Sequence, residues 1–238
     1  KVADKLTLLY KKEPDNYKKY WDDINPFVKY GCMREDKFYE KVKDIIIFKT
    51  TNDDYVTLAE YLERNKEKNQ NTVYYVNEPK QQTQYMNMFK ENGMEAVLLN
   101  TLIDSSFISF LEGKNTDVKF LRIDSEITSN LKDETADEDE KEVKKQTEKL
   151  EKLFKDVLGN KDLKVQVEKL KTETTPAVIL LSEQSIRMQE MSRMFGGGDM
   201  GSMFPKEETL VINRSSKLVK ALFTSLKDKE KKEERDLL

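Results

Sequence analysis

The side chains that most often carry out catalysis are scarce in this chain. The 238 residues include no histidine and a single cysteine, Cys32. Without an imidazole base, Ser-His-Asp catalysis, Cys-His catalysis and HExxH zinc sites are excluded. One cysteine without histidine also cannot complete a four-ligand structural zinc site. Carboxylate or lysine chemistry remains open, but most common hydrolytic sites are ruled out.

Three glycines, Gly196, Gly198 and Gly201, match the literal pattern GxGxxG. In a dinucleotide-binding fold this pattern follows a strand and opens a helix whose N-terminus faces the pyrophosphate. Here a methionine-rich helical segment precedes the glycines and Pro205 follows them. The pattern therefore predicts a flexible loop rather than a phosphate site.

The methionines beside this loop form the best candidate for a binding site. Four apolar residues recur there at helical spacing on one face: Met188, Met191, Met194 and Phe195. This face either packs onto its own domain or recognises varied hydrophobic segments. Methionine is unbranched and polarizable, so it adapts to irregular apolar partners. The short helix and its glycine tether favour recognition.

Composition limits the possible partners. Charged and hydrophobic residues each make up 37% of the chain, and the net charge is −3. A chain with this charge is not expected to bind nucleic acid through a global positive field. No apolar run approaches the roughly 20 residues that span a bilayer, so no membrane partner is expected. The single cysteine favours a reducing compartment, and we expect a cytoplasmic location.

An acidic run divides the chain. Seven of the ten residues from 133 to 142 are acidic. The run predicts a solvated linker over residues 128–142; a calcium loop is the alternative, although the glycine needed for its turn is missing. The predicted domains are residues 1–127 and 143–238.

Periodicity predicts an α/β fold for the first domain and an α+β fold for the second. A first helix has five predicted apolar-face positions: Tyr17, Tyr20, Trp21, Ile24 and Phe27 or Val28. Trp21 is interpreted as a core residue, with a partner-facing aromatic patch as the alternative. Strands near 72–76, 96–99 and 118–123 alternate with helices, which predicts a three-layer α/β/α subdomain with a short parallel sheet.

The second domain is predicted to contain a long helix ending near residue 158 and three strands. The strand at 163–167 alternates and reads as half-buried, whereas residues 177–181 (AVILL) form a continuous apolar strand. A third strand covers 209–213. A last helix then has an apolar stripe made of Leu218, Val219, Leu222, Phe223 and Leu226.

Several segments, taken in order, resemble the heat-shock protein 90 family of chaperones and especially its bacterial members. They are DNYKKYWDDINPFVKYG (15–31), IIIFKTT (45–51), TLAEYLERNKEKNQNTVYYV (57–76), GMEAVLLNTLID (93–104), LEKLFKDVLGNKDLKVQVEKL (150–170), TTPAVILLSE (174–183) and EMSRMF (190–195). The resemblance covers nearly the whole chain.

The resemblance implies the late middle domain and most of the C-terminal domain of an ATP-dependent chaperone that binds partly unfolded client proteins. ATP and Mg²⁺ would then belong to the intact protein. For this chain we expect no catalytic residue, no enzyme activity, no cofactor and no metal. Two other readings are a purely structural dimerisation module and a small-molecule enzyme that uses the α/β half.

The resemblance also implies particular contacts. By position it assigns client contact to Met191, Met194 and Phe195; periodicity adds Met188, and Trp21 is a further candidate. The last helix would contribute to a homodimer through Leu218, Leu222, Phe223 and Leu226. Because family members continue with further apolar helices, we expect the homodimer to be weakened or lost in this chain.

Overall fold

The computed structural model describes residues 1–127, 129–133, 140–194 and 207–225. For residues 140, 142, 143 and 190–194 it describes the backbone alone. The chain begins with three helices, α1 (Val2–Lys12), α2 (Pro14–Arg34) and α3 (Asp36–Val42). Pro14 lies in the first turn of α2, where its missing N–H needs no intrahelical partner.

The buried face of α2 differs from the predicted one. Trp21 is buried, as are Tyr17, Val28 and Cys32, whereas Tyr20 and Phe27 point to solvent and Phe27 is 77% exposed. The prediction grouped residues as one face, but in a helix with 3.6 residues per turn they lie along two separate stripes. Placing Tyr20 in the core was therefore wrong. Of the alternatives Phe27 and Val28, Val28 is the buried one, and the core interpretation of Trp21 is confirmed.

A short parallel sheet forms the centre of the first unit. After a small antiparallel pair, β1 (Ile47–Lys49) and β2 (Tyr55–Thr57), come α4 (Leu58–Asn69), β3 (Thr72–Val76), α5 (Thr83–Glu91), β4 (Val97–Leu98), α6 (Asp104–Lys114) and β5 (Lys119–Arg122). The strand order is β4-β3-β5, with both pairs parallel.

Helices cover both faces of β3. Val73 and Tyr75 pack in one cluster with Phe107 of α6, while Tyr74, on the opposite face, contacts Phe89 of α5 with ring centroids 5.1 Å apart. The predicted three-layer α/β/α arrangement with a parallel sheet is confirmed. α4 begins with a capping box, in which Thr57 and Glu60 bond to each other's backbone N–H.

The second unit is a mixed sheet covered by helices. Its elements are α7 (Glu140–Leu158), β6 (Lys164–Glu168), β7 (Ala177–Leu181), β8 (Glu208–Asn213) and α9 (Lys217–Ser225). β8 lies between β6, which is parallel to it, and β7, which is antiparallel. Leu150 of α7 and Leu222 of α9 pack against Val165 and Val167 of β6. The predicted α+β fold is confirmed.

β7 does not behave as a fully buried strand, although all its residues are apolar. Val178 and Leu180 are buried, but Ile179 is half exposed. β7 is an edge strand, and its Ile179 lies beside Leu210 on the face that packs against α7 and α9, but these helices leave this edge position half exposed. β6, by contrast, alternates as predicted: Val165 and Val167 are buried.

The described residues divide into two compact units. One comprises 1–123 with 187–194, and the other comprises 124–186 with 207–225, apart from the gaps given above. The division falls within α8 (Glu183–Met194). The domain boundaries drawn from composition, 1–127 and 143–238, stay predictions. Most of the acidic run, residues 134–139, lies outside the described residues.

Across the part of the chain that the structure describes, no helix has both the length and the apolar character needed to cross a bilayer.

Tyr61 provides a test of how the first unit is held together. Its hydroxyl donates to the Glu95 carbonyl at 2.8 Å and accepts from the Tyr74 N–H at 3.2 Å, and its side chain is fully buried. Tyr61→Phe leaves two buried backbone groups without this partner. We expect it to lower the free energy of unfolding by about 1–3 kcal/mol, measured by urea denaturation.

Tyr20→Phe is the matched control, because it removes the same hydroxyl from an exposed ring. The control is expected to change stability by less than about 0.5 kcal/mol. Equal effects of the two substitutions would contradict this role for Tyr61.

Candidate functional site

Met188, Met191 and Met194 of the methionine face lie on a helix, as predicted. In α8 the Ser182 hydroxyl accepts from the Ser185 N–H at 3.4 Å, in the manner of an N-cap. Ile186 is buried, whereas Met188 is 39% exposed. The backbones of Met191 and Met194 continue the helix, but their side chains and the whole of Phe195 lie outside the described residues. Of the predicted client-contact methionines, Met188 is thus the one whose side chain can be placed.

Arg187 attaches α8 to the α/β part of its own unit. Its guanidinium donates to both carboxylate oxygens of Glu112, at 2.6 Å (Oε2) and 3.2 Å (Oε1), and to the Phe120 carbonyl at 2.7 Å. Glu112 Oε1 also accepts from the Phe120 N–H at 2.8 Å. Since Glu112 is on α6 and Phe120 is on β5, one ion pair joins three elements.

This contact is strong enough to fix the position of Arg187 beside α6 and β5. The side chains of Arg187 and Glu112 are only 23% and 26% exposed, so water screens the pair less than it screens a surface ion pair. Forked Arg–carboxylate pairs also fix direction as well as distance. The sequence alone predicts no partner for Arg187. No local pattern reveals its partner, which is 75 residues away.

Trp21, the other predicted client-contact residue, is only 3% exposed. Its ring packs against that of Tyr17 with centroids 5.4 Å apart. Client contact by Trp21 therefore stays a prediction, and in this conformation the ring offers little surface. Exposed aromatic rings occur elsewhere on α2, at Tyr20, Phe27 and Tyr30.

The predicted dimerisation residues fall into different environments. Leu222 is buried and Phe223 is partly buried in the core of the second unit, whereas Leu218 is 44% exposed. Leu226 lies outside the described residues. The apolar stripe of α9 is thus largely used to cover its own sheet. A role for Leu218 between subunits stays a prediction.

Cys32 is poorly suited to nucleophilic chemistry. Burial raises the pKa of the Cys32 thiol to about 12, so the thiolate is scarce near neutral pH and the sulfur is a poor nucleophile. Within the described ranges, no three or more Asp, Glu or Cys side chains gather in a way that could hold a metal ion. The expected lack of a cofactor stays an expectation.

Comparisons with known proteins point to one family. The protein-family model described as "Hsp90 protein" matches residues 1–238. The chain is 30% identical over 243 residues to the chaperone protein htpG of Bacteroides fragilis strain YCH46, an alignment that covers 97% of this chain and 35% of that protein.

Two further relatives agree. The chain is 29% identical over 231 residues to the chaperone protein HtpG of Bacteroides thetaiotaomicron, covering 92% of this chain and 34% of the relative. It is 28% identical over 239 residues to the chaperone protein HtpG of Porphyromonas gingivalis strain ATCC 33277, covering 96% and 34%. The chain thus spans about a third of the length of the curated relatives it matches.

The attachment of α8 is testable by hydrogen exchange. Arg187→Gln removes the charge and the forked contact with Glu112 but keeps a long polar side chain. We expect amides of α8 between residues 186 and 190 to exchange about tenfold to a hundredfold faster, since a hydrogen bond to a charged group contributes about 1.5–3 kcal/mol.

Arg34→Gln is the control, because Arg34 is an exposed arginine on α2 that lies over the Tyr30 ring. It should leave exchange in α8 unchanged. Unchanged exchange in Arg187→Gln as well would show that other contacts hold the helix.

Proposed function

The chain belongs to the Hsp90 protein family, as the resemblance predicted, and on that premise we propose that it holds partly unfolded client proteins on the methionine face of α8. Membership in this family supports a chaperone role. The observation that carries the finer proposal is the exposed Met188 on a helix that Arg187 attaches to the α/β part of its unit.

The energetics favour weak and distributed contacts. Fully burying one methionine is worth about 1.5–3 kcal/mol, and Met188 has only part of its surface left to bury. A single methionine therefore cannot give micromolar affinity. Binding has to combine several residues of the face with the linked sites that a dimer provides. Such contacts suit varied clients, because methionine adapts its shape to irregular apolar surfaces.

We extend the proposal to the whole protein only where the family supports it. ATP binding and hydrolysis with Mg²⁺ are proposed for the intact chaperone, while this chain is proposed to contribute client contacts without an ATP site. A homodimer is proposed for the intact protein, with weak or no association of this chain alone. A cytoplasmic location is proposed on the basis of the single, buried cysteine.

A titration tests the client site. Fluorescently labelled, permanently unfolded α-lactalbumin (reduced and carboxymethylated) is mixed with this chain and with the variant Met188→Ser, Met191→Ser, Met194→Ser. We expect the substitutions to weaken binding at least about tenfold, since three apolar contacts are lost. Circular dichroism first establishes that both proteins are folded.

Leu8→Ser is the matched control, since it removes an exposed apolar side chain from α1. It should leave the affinity for the unfolded protein unchanged. If the triple variant also binds with unchanged affinity, the client site lies elsewhere and the proposal is wrong.

One observation favours a second reading, in which α8 is a docked structural element. Ile186 is buried and Arg187 is tied to Glu112, so the first half of the helix already packs internally. Slow hydrogen exchange along all of α8, from Glu183 to Met194, would favour this reading, because a fully docked helix opens rarely. Rapid exchange beyond Met188 would favour an open client surface.

A further inference from the structure

α2 carries an exposed aromatic stripe, made of Tyr20, Phe27 and Tyr30. These side chains are 46%, 77% and 54% exposed. Their spacing of seven and then three residues is that of the a and d positions of a coiled coil, so they follow one line of the helix. The residues that α2 buries, among them Trp21 and Val28, occupy other positions of the same repeat. α2 therefore packs into its own unit and still presents a second apolar line.

The helix beneath the aromatic stripe is continuous although it contains Pro26. Proline has no N–H, so the Asp22 carbonyl loses its usual partner within α2. The Asn25 side chain replaces that partner, because its Nδ2 donates to the Asp22 carbonyl at 3.1 Å and to the Trp21 carbonyl at 3.0 Å. α2 therefore continues as one helix to Arg34 and carries the whole stripe.

Two residues of opposite charge lie on the same line as the stripe. Asp23 comes four residues before Phe27, and Arg34 comes four residues after Tyr30. Both charged side chains are exposed, and among the described residues neither forms an ion pair within its own chain. The Arg34 guanidinium lies over the Tyr30 ring, 5.6 Å from its centroid. From Asp23 to Arg34 the line therefore presents an acid, two aromatic rings and a base.

This order of residues is complementary to its own reverse. Asp23 and Phe27 are separated by the same four residues as Tyr30 and Arg34, or about 6 Å of helix. When two copies of α2 pack antiparallel about a two-fold axis, Phe27 of one copy can meet Tyr30 of the other while Asp23 meets Arg34. Each contact then occurs twice, as in any isologous interface. A parallel pair would instead set Asp23 against Asp23 and Arg34 against Arg34, which repel.

The exposed area limits how tightly such a pair can form. An aromatic side chain offers about 150–250 Å² for burial, so the exposed parts of the three rings amount to roughly 350 Å² per copy. Two copies supply roughly 700 Å² from their rings, whereas a standard stable interface buries about 1,200–2,000 Å². Pairing through α2 is therefore expected to be weak and reversible, with a Kd on the order of 0.1–1 mM.

We propose that the aromatic stripe of α2 is a self-association surface, on which a second copy of this chain packs antiparallel. This contact lies in the first unit and differs from the dimerisation predicted for α9. It is also independent of client binding by α8. In a protein whose copies are already joined elsewhere, effective concentrations reach the millimolar range, so a contact of this strength can form.

Sedimentation equilibrium of this chain up to about 1 mM measures the pairing. We expect the average mass to rise from monomer towards dimer with concentration. Phe27→Ser should weaken the association at least about tenfold, because each dimer loses two buried rings. The ring is 77% exposed, so the variant should fold normally, which circular dichroism checks. Leu218→Ser is the matched control, since it removes an exposed apolar side chain from α9 and should leave the association unchanged.

Charge reversal tests the antiparallel arrangement. Asp23→Arg and Arg34→Asp should each weaken self-association about threefold to tenfold, because each sets like charges opposite one another twice. An equimolar mixture of the two variants should associate about as well as the unaltered chain, since both ion pairs then re-form between the copies. A parallel pair would also be restored by mixing, but not by the double variant with both changes on one chain. The double variant should therefore associate like the unaltered chain.

Several results would overturn the proposal. The first is a monomeric mass of the unaltered chain at about 1 mM. The second is unchanged association of Phe27→Ser, or loss of association in Leu218→Ser, which would place the contact on α9. The third is a double charge variant that associates no better than Asp23→Arg alone.

Discussion

Burial of β3 on both faces is the constraint on which the first unit depends. Val73 and Tyr75 face one set of helices and Tyr74 faces another, so polar groups near this strand have little access to water. They are paired inside the protein instead. Tyr61 links the Tyr74 N–H to the Glu95 carbonyl, and burial raises the pKa of its phenol well above the ordinary value, so it stays a neutral donor.

The same requirement organises the surroundings of β4. The carboxylate of Glu95, just before β4, is buried and accepts hydrogen bonds from Asn52, Arg64 and Asn65. These bonds connect the β1–β2 turn and α4 to one point of the sheet. At the opposite end of β4, Asn25 and Thr101 each leave one buried oxygen without a partner among the described residues.

α8 follows a different principle. Its first half is fixed by a few strong, directional contacts of Arg187 and by the buried Ile186, while Met188 keeps a substantial exposed surface. The directional polar contacts of Arg187 leave the neighbouring Met188 side chain partly exposed. A surface of this kind suits weak binding to many sequences, because recognition then relies on adaptable apolar contacts rather than on fixed hydrogen bonds.

Local features of this fold could be predicted from sequence, and contacts between distant residues could not. The order of strands and helices and the alternation in β6 depend on neighbouring residues, so periodicity finds them. The capping box of α4 is equally local, because Thr57 and Glu60 have the three-residue spacing that it requires. The exposure of Phe27 depends on which of two adjacent stripes of α2 meets the core. The partner of Arg187 and the cover over Leu222 depend on tertiary packing, which one sequence does not reveal.

The central claim is that client contact is concentrated on α8. The most direct measurement is hydrogen exchange of this chain with and without saturating reduced, carboxymethylated α-lactalbumin. The account predicts that the unfolded protein slows exchange within residues 183–194 and leaves β3 and β6 unchanged. Protection confined to α2 or to the mixed sheet, with α8 unaffected, would contradict it.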